Sequence, residues 1–110
     1  MTQKSFERIV TEQLSRSATL LVSKGHEYAE GAEAEQKIDR LAHFKKAAVL
    51  QDETPAQAAF GMLAKHLVSV ADMVNTRGEY PLEKWDEKIS DSINYLLILR
   101  AIVEEGRESA

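Results

Sequence analysis

The chain has 110 residues, of which 44% are hydrophobic and 29% are charged, a balance typical of one globular domain. Its 18 acidic and 14 basic residues give a net charge of −4 at pH 7, and lysine and arginine form no dense run. This charge pattern excludes the basic surface of a duplex-binding protein, so we expect no nucleic-acid partner. The absence of cysteine excludes disulfides and thiolate zinc sites.

The sequence carries no signal for export or for membrane insertion. The opening segment, MTQKSFERIVTEQL, has no apolar run of signal-peptide length, and no stretch of about 18 uncharged apolar residues follows it. We therefore expect a cytoplasmic protein with no membrane partner.

Apolar residues at helical spacing predict a first helix from about Ser5 to Ser23, ending near Gly25. The next segment, from His26 to Gln36, is rich in glutamate and predicts a polar loop. The apolar stripe of this first helix consists of Phe6, Ile9, Val10, Leu14, Leu20 and Leu21.

Three further helices are predicted along the chain. The second runs from about Lys37 to Leu50. The third begins with Thr54 as N-cap and Pro55 at the first helical position, and it ends at position 76 or 77, before a glycine. The fourth runs from Pro81 to about Glu105, again before a glycine.

β-Branched residues nowhere alternate as they do in strands, so the sequence predicts an all-α protein with one domain over residues 1–110. Short connections between the helices favour an antiparallel four-helix bundle. A chain of this size has a thin core, so we expect a homodimer to complete the bundle. The alternative is a pair of long helical hairpins that become a bundle only on dimerisation.

The third predicted helix is mostly apolar, yet Lys65, Ser69 and Asp72 share one stripe at spacings of four and three. Either this face is covered and both charges have partners, or it is solvated and the opposite stripe forms the core. That opposite stripe consists of Phe60, Leu63, Leu67, Val70 and Val74.

The fourth predicted helix places Glu87, Asp91 and Asn94 on one stripe, which continues into Ile98 and Ile102. Because a solvated stripe rarely turns from carboxylates into isoleucines, we expect the carboxylates at the mouth of a buried surface. The predicted core stripe of this helix consists of Trp85, Ile89, Ile93, Leu96 and Val103.

Two carboxylates one turn apart, followed by an amide, have the oxygen ligands and the spacing to hold one magnesium ion. The alternative is that these carboxylates form an exposed acidic patch and that the apolar part of the same stripe further along the helix forms a dimer interface. The sequence has no cysteine nucleophile, serine elbow or glycine-rich phosphate loop. An enzyme with this sequence would therefore activate water with a metal.

Three short motifs resemble small phage-encoded proteins of the MazG-like, nucleotide-modification-associated group. They are KGHEYA at residues 24–29, Lys65-His66-x-x-Ser69-x-x-Asp72, and Glu87-Lys88-x-x-Asp91-x-x-Asn94-Tyr95. The better-known relatives of that group are all-α, magnesium-dependent nucleoside-triphosphate pyrophosphohydrolases that form homodimers or dimers of dimers. The resemblance covers residues 24–103, most of the chain.

The resemblance implies a set of site residues. The metal ligands would be Glu27, Asp72, Glu87 and Asp91. The substrate would be bound by Lys24, Lys65, His66, Asn94 and Tyr95. Catalysis would involve Glu87, Asp91 and Lys65. The sequence departs from the enzymes in lacking a two-glutamate motif on the third helix. A catalytically inactive helical interaction protein is therefore the alternative function, with Lys65 paired to Asp91 or Glu87 as a structural network.

Overall fold

The computed structural model describes residues 1–27, 38–76 and 78–108, with only the backbone described for 25–27. It contains helices α1 (Gln3–Glu27), α2 (Ala42–Gln51), α3 (Pro55–Asn75) and α4 (Leu82–Glu108). No strand occurs in these ranges, which confirms the all-α prediction. None of the described helices combines the length and the apolar character needed to cross a membrane. The helices fall into two compact units, Met1–Ile38 and Asp39–Ala110.

The first unit contains α1, which is longer than predicted at both ends. The Thr2 hydroxyl accepts a hydrogen bond from the Ser5 N–H at 3.0 Å and so caps the first turn. The helix continues through Gly25 to Glu27 because glycine permits a helix end without imposing one. The predicted apolar stripe is largely exposed, at Phe6, Ile9, Val10, Leu14 and Leu20. Positions 28–36 of the predicted loop lie outside the described residues.

The second unit begins with a turn before α2, and α2 starts five residues later than predicted. The Asp39 carboxylate accepts a hydrogen bond from the Leu41 N–H at 2.9 Å and one from the Lys45 ammonium at 2.6 Å. Lys45 also pairs with Glu105 of α4 at 2.6 Å. Local side-chain bonding therefore holds residues 39–41 in a turn and ties α2 to the end of α4.

The connection from α2 to α3 has strong local signals. Asp52 adopts the left-handed conformation (φ 54°, ψ 52°) and ends α2. The Thr54 hydroxyl then accepts from the Gln57 N–H at 3.1 Å, while the Gln57 side chain accepts from the Thr54 N–H at 2.8 Å. This capping box, with Pro55 in the first turn, confirms the predicted start of α3.

The core of the second unit is formed where α2, α3 and α4 meet. Leu41, Phe44 and Ala59 form its buried cluster, against which five half-buried residues pack: Met62, Tyr95, Ile98, Leu99 and Ile102. Pro55 and Ala56 at the start of α3 line one cavity with Ile102 and Val103 near the end of α4, whereas His66 lies beside Asp91 nearer the start of α4. The two long helices are therefore antiparallel.

The predicted core stripes of α3 and α4 are partly wrong. In α3, Leu63 is buried, but Phe60, Leu67 and Val74 are exposed. In α4, the side that packs on the core carries Ile98 and Ile102, and the predicted core residues Leu96 and Val103 are exposed. Since α3 is apolar over most of its circumference, as is the segment 95–99 of α4, periodicity did not identify the packed face.

Candidate functional site

Across α3 and α4 the structure brings His66 and Asp91 together. Nδ1 of His66 lies 3.6 Å from Oδ2 of Asp91, and their side chains are 26% and 28% exposed. That separation is longer than a hydrogen bond, so the two groups are neighbours rather than a locked pair. Both remain accessible to a ligand.

An aromatic ring supports the imidazole from α4. The ring of Tyr95 stacks on His66 with centroids 4.9 Å apart and planes 27° apart. Phe44 of α2 meets the same tyrosine ring edge-on, at 6.3 Å and 82°. Tyr95 is thus held between two rings from two helices, which limits the positions open to His66. Phe44 was not predicted as a site residue, because its contact with Tyr95 depends on how the helices pack.

Asn94 adds an unsatisfied acceptor beside this pair. It follows Asp91 by three residues on α4, a spacing that places both side chains on one face. Its Oδ1 atom has under 1 Å² of accessible surface and no hydrogen-bond partner among the described residues. Buried acceptors of this kind are rare, and each costs about 1–3 kcal/mol when left without a donor. We call His66, Asp91, Asn94 and Tyr95 the His66–Asp91 cluster.

The other predicted site residues lie apart from this pair or outside the described side chains. Lys65, Asp72 and Glu87 are exposed, and none of their side chains makes a hydrogen bond or ion pair with another described residue. Lys24 is exposed on α1 in the first unit. The side chain that faces Asp91 across α3 and α4 is therefore His66, whereas the predicted structural network paired Asp91 with Lys65.

The described side chains contain no group of three histidine, aspartate or glutamate residues that could hold a metal ion. The predicted ligand Glu27 is not among those side chains. Magnesium commonly takes only one or two protein carboxylates and fills its other positions with water and substrate phosphates. Asp91 and Glu87 are two carboxylates, which is the number of protein ligands that such a magnesium site needs.

A second polar group lies at the Lys45 end of α2. A hydrogen bond from Lys45 holds the pKa of Asp39 below its ordinary value of 3.8, with help from the Leu41 N–H. Hydrogen bonds to Asp39 and then to Glu105 raise the pKa of Lys45 above 10.5. Because the Lys45 ammonium bonds both carboxylates, the group joins the turn before α2 to the end of α4.

Beside it, a mostly apolar cavity of about 280 Å³ opens between α2, the start of α3 and the end of α4. Its walls include Leu41, Pro55, Ile102 and Val103. None of the residues predicted for the site lines this cavity.

Comparison of the chain with protein-family models, with curated proteins and with solved structures found no match.

Proposed function

We propose that this chain is a magnesium-dependent nucleotide-binding protein whose ligand binds at the His66–Asp91 cluster. The observation that carries the proposal is the meeting of a carboxylate and an imidazole across α3 and α4, which are 28% and 26% exposed and are not closed by a hydrogen bond. Tyr95 stacks on the imidazole, and the carbonyl oxygen of Asn94 is a buried acceptor with no donor among the described residues. A polar network that served only to hold helices together would satisfy that acceptor.

The charges suit a ligand that brings its own cation. Asp91, with Glu87 one turn before it on α4, offers carboxylate oxygens but no cluster of positive charge for a bare triphosphate. Asp91 and Glu87 would hold a magnesium ion, whose positive charge would offset the repulsion between these carboxylates and a triphosphate. It would supply Lewis-acid stabilisation of phosphate charge when bound.

Within this site, His66 is placed to donate a hydrogen bond to a phosphate or sugar oxygen while Tyr95 holds its ring in place. The candidate reaction is hydrolysis of a nucleoside triphosphate to a nucleoside monophosphate and pyrophosphate. Water would add to the α-phosphorus and pyrophosphate would leave, with the proton of the water passing to a carboxylate or imidazole. The resemblance to the phage nucleotide-modification group supports nucleoside triphosphates as the substrate class. We also propose that the protein is cytoplasmic.

The test is calorimetric titration of the protein with unmodified and modified dNTPs, with and without magnesium, combined with an assay for pyrophosphate release. We expect magnesium-dependent binding that is lost in Asp91→Asn and weakened in Glu87→Gln. The matched control is Glu83→Gln, another exposed carboxylate on the same helix, which should bind as wild type does. If no nucleotide binds the wild-type protein at millimolar concentration, or if Asp91→Asn binds equally well, the proposal is wrong.

The second candidate is a catalytically inactive helical interaction protein. It is favoured by large apolar side chains that face solvent, such as Val49 at 82% and Leu50 at 87% exposure on α2. This function predicts no nucleotide binding and capture of a protein partner that Val49→Asp and Leu50→Asp abolish. Calorimetry therefore separates the two candidates before any partner is known.

A further inference from the structure

The cavity between α2, the start of α3 and the end of α4 has the size and the lining of a small-molecule site. Its volume of about 280 Å³ is close to the lower limit of ligand sites in proteins, about 300 Å³. Its lining is mostly apolar and comes from Leu41, from Pro55 and Ala56, and from Ile102 and Val103. Transfer of an apolar group from water into such a space is favourable, so the cavity favours a ligand with an apolar body.

The volume of the cavity limits the size of that ligand. An apolar cavity of about 150 Å³ holds one benzene molecule. This cavity has nearly twice that volume, so it fits a ligand of about ten non-hydrogen atoms. A nucleoside triphosphate is far larger, and the cavity is therefore not a second nucleotide site.

The charged groups in the lining favour an anionic end on the ligand. They are Lys45, Glu105 and Arg107. The Lys45 ammonium already bonds the carboxylates of Asp39 and Glu105, both at 2.6 Å. Arg107 makes no hydrogen bond or ion pair with another described residue, so its guanidinium is available to a carboxylate of the ligand.

A hydroxyl group adds a neutral donor to the same lining. Thr54 lines the cavity, and its side-chain oxygen accepts a hydrogen bond from the Gln57 N–H at 3.1 Å. Because that bond uses the oxygen as an acceptor, the hydroxyl proton of Thr54 is left for an acceptor on the ligand. The lining thus combines an apolar wall with two donors for an anionic oxygen, Thr54 and Arg107.

We propose that this cavity binds a small amphipathic carboxylate, with its apolar chain against Leu41 and Ile102 and its carboxylate at Arg107. No residue of the His66–Asp91 cluster lines the cavity. The carboxylate is therefore a second ligand, and its binding does not depend on the proposed nucleotide site.

The test is an NMR titration of the whole chain, without nucleotide, with octanoate, octanol and octylamine. These probes share one apolar chain and differ in the charge of the head group. We expect saturable binding of octanoate with a dissociation constant on the order of 0.1–1 mM and amide shifts at the residues that line the cavity. Octanoate should bind about 5-fold more tightly than octanol, the effect of one partly exposed charged contact, and octylamine should bind more weakly than either.

Two variants test the apolar wall and the charge separately. Ala56→Leu should weaken octanoate binding at least ~10-fold, because the added side chain takes the space of about three carbons of the ligand. The matched control is Ala71→Leu, on the same helix but outside the cavity, which should bind octanoate as wild type does. Arg107→Gln changes an exposed residue, so it tests the charge whether or not Ala56→Leu folds. It should remove the preference for octanoate over octanol and leave octanol binding unchanged.

Several results would overturn the proposal. One is the absence of saturable octanoate binding below ~5 mM, which is also the result expected if the cavity holds only a side chain of a protein partner. Another is octylamine binding as tight as that of octanoate, or a preference for octanoate that Arg107→Gln leaves unchanged. Equal effects of Ala56→Leu and Ala71→Leu, or amide shifts away from the cavity, would also contradict it.

Discussion

Replacing Asn94 with leucine should stabilise the ligand-free protein. The Oδ1 atom of Asn94 has less than 1 Å² of accessible surface and no donor among the described residues. Leaving such an acceptor unpaired costs about 1–3 kcal/mol, and leucine has nearly the same shape without the acceptor. After allowance for imperfect packing, we expect the free energy of unfolding to rise by about 1–2 kcal/mol.

Differential scanning calorimetry of the ligand-free protein measures this effect. For a chain of 110 residues, that gain corresponds to a rise in Tm of about 4–8 °C. The matched control is Asn75→Leu on α3, where the exposed amide donates to the Ala71 carbonyl at 2.8 Å, and the change should stay within about 0.5 kcal/mol. A fall in Tm for Asn94→Leu would show that Asn94 stabilises the fold and would contradict this reasoning.

Three further predictions concern the stability of the second unit. Asp91→Ala should change the free energy of unfolding by less than about 1 kcal/mol in urea denaturation, because the ion pair of Asp91 with His66 is partly exposed and 3.6 Å long. A loss of about 3–5 kcal/mol would instead indicate a buried structural network. Leu63→Ala should cost about 3 kcal/mol by the same method, since Leu63 is 2% exposed, whereas Val49→Ala should cost under about 0.5 kcal/mol. Hydrogen bonds lower the pKa of Asp39 below 3.8 and raise that of Lys45 above 10.5, so the stabilisation from this pair is present between those values. Relative to Lys45→Met, the wild type should therefore lose its advantage as the pH falls below 3.8 or rises above 10.5, and an advantage constant from pH 3 to 11 would contradict that assignment.

Local chemistry explains which parts of the fold could be predicted from sequence. The start of α3 was predictable because Thr54, Pro55 and Gln57 bond to one another or restrict their own backbone. The ends at Gly25 and Gly106 were predicted wrongly, since both residues remain inside helices. Glycine lowers the cost of ending a helix, but tertiary contacts and neighbouring residues decide whether it ends.

The packed faces of α3 and α4 could not be predicted because both helices carry apolar residues on several sides. Phe44 of α2 contacts Tyr95, and that packing selects the side of α4 with Ile98 and Ile102. Leu96 and Val103 of the predicted stripe are also apolar, yet they stay exposed. Hydrophobic periodicity indicates which faces of a helix can be buried, and packing on the neighbouring helix determines which of these faces is buried.

For the candidate site, too, spacing within one helix could be predicted from the sequence, whereas contacts between helices could not. Spacing along α4 correctly grouped Asp91 and Asn94 on one face. The neighbour of Asp91 depends on the register of α3 against α4, which sequence does not reveal, and it is His66 rather than Lys65. The resemblance placed His66 among the substrate-binding residues, and its four-residue offset from Met62, which packs on the core, places it at the edge of the buried face.

Nucleotide binding at the His66–Asp91 cluster is most directly tested by NMR of the histidine side chains. The chain has three histidines, and His43, exposed on α2, provides an internal control for His66. Addition of a dNTP with magnesium should shift the imidazole resonances of His66 and leave those of His43 unchanged. Unchanged His66 resonances at saturating nucleotide, or equal shifts at both histidines, would contradict a nucleotide site at this cluster.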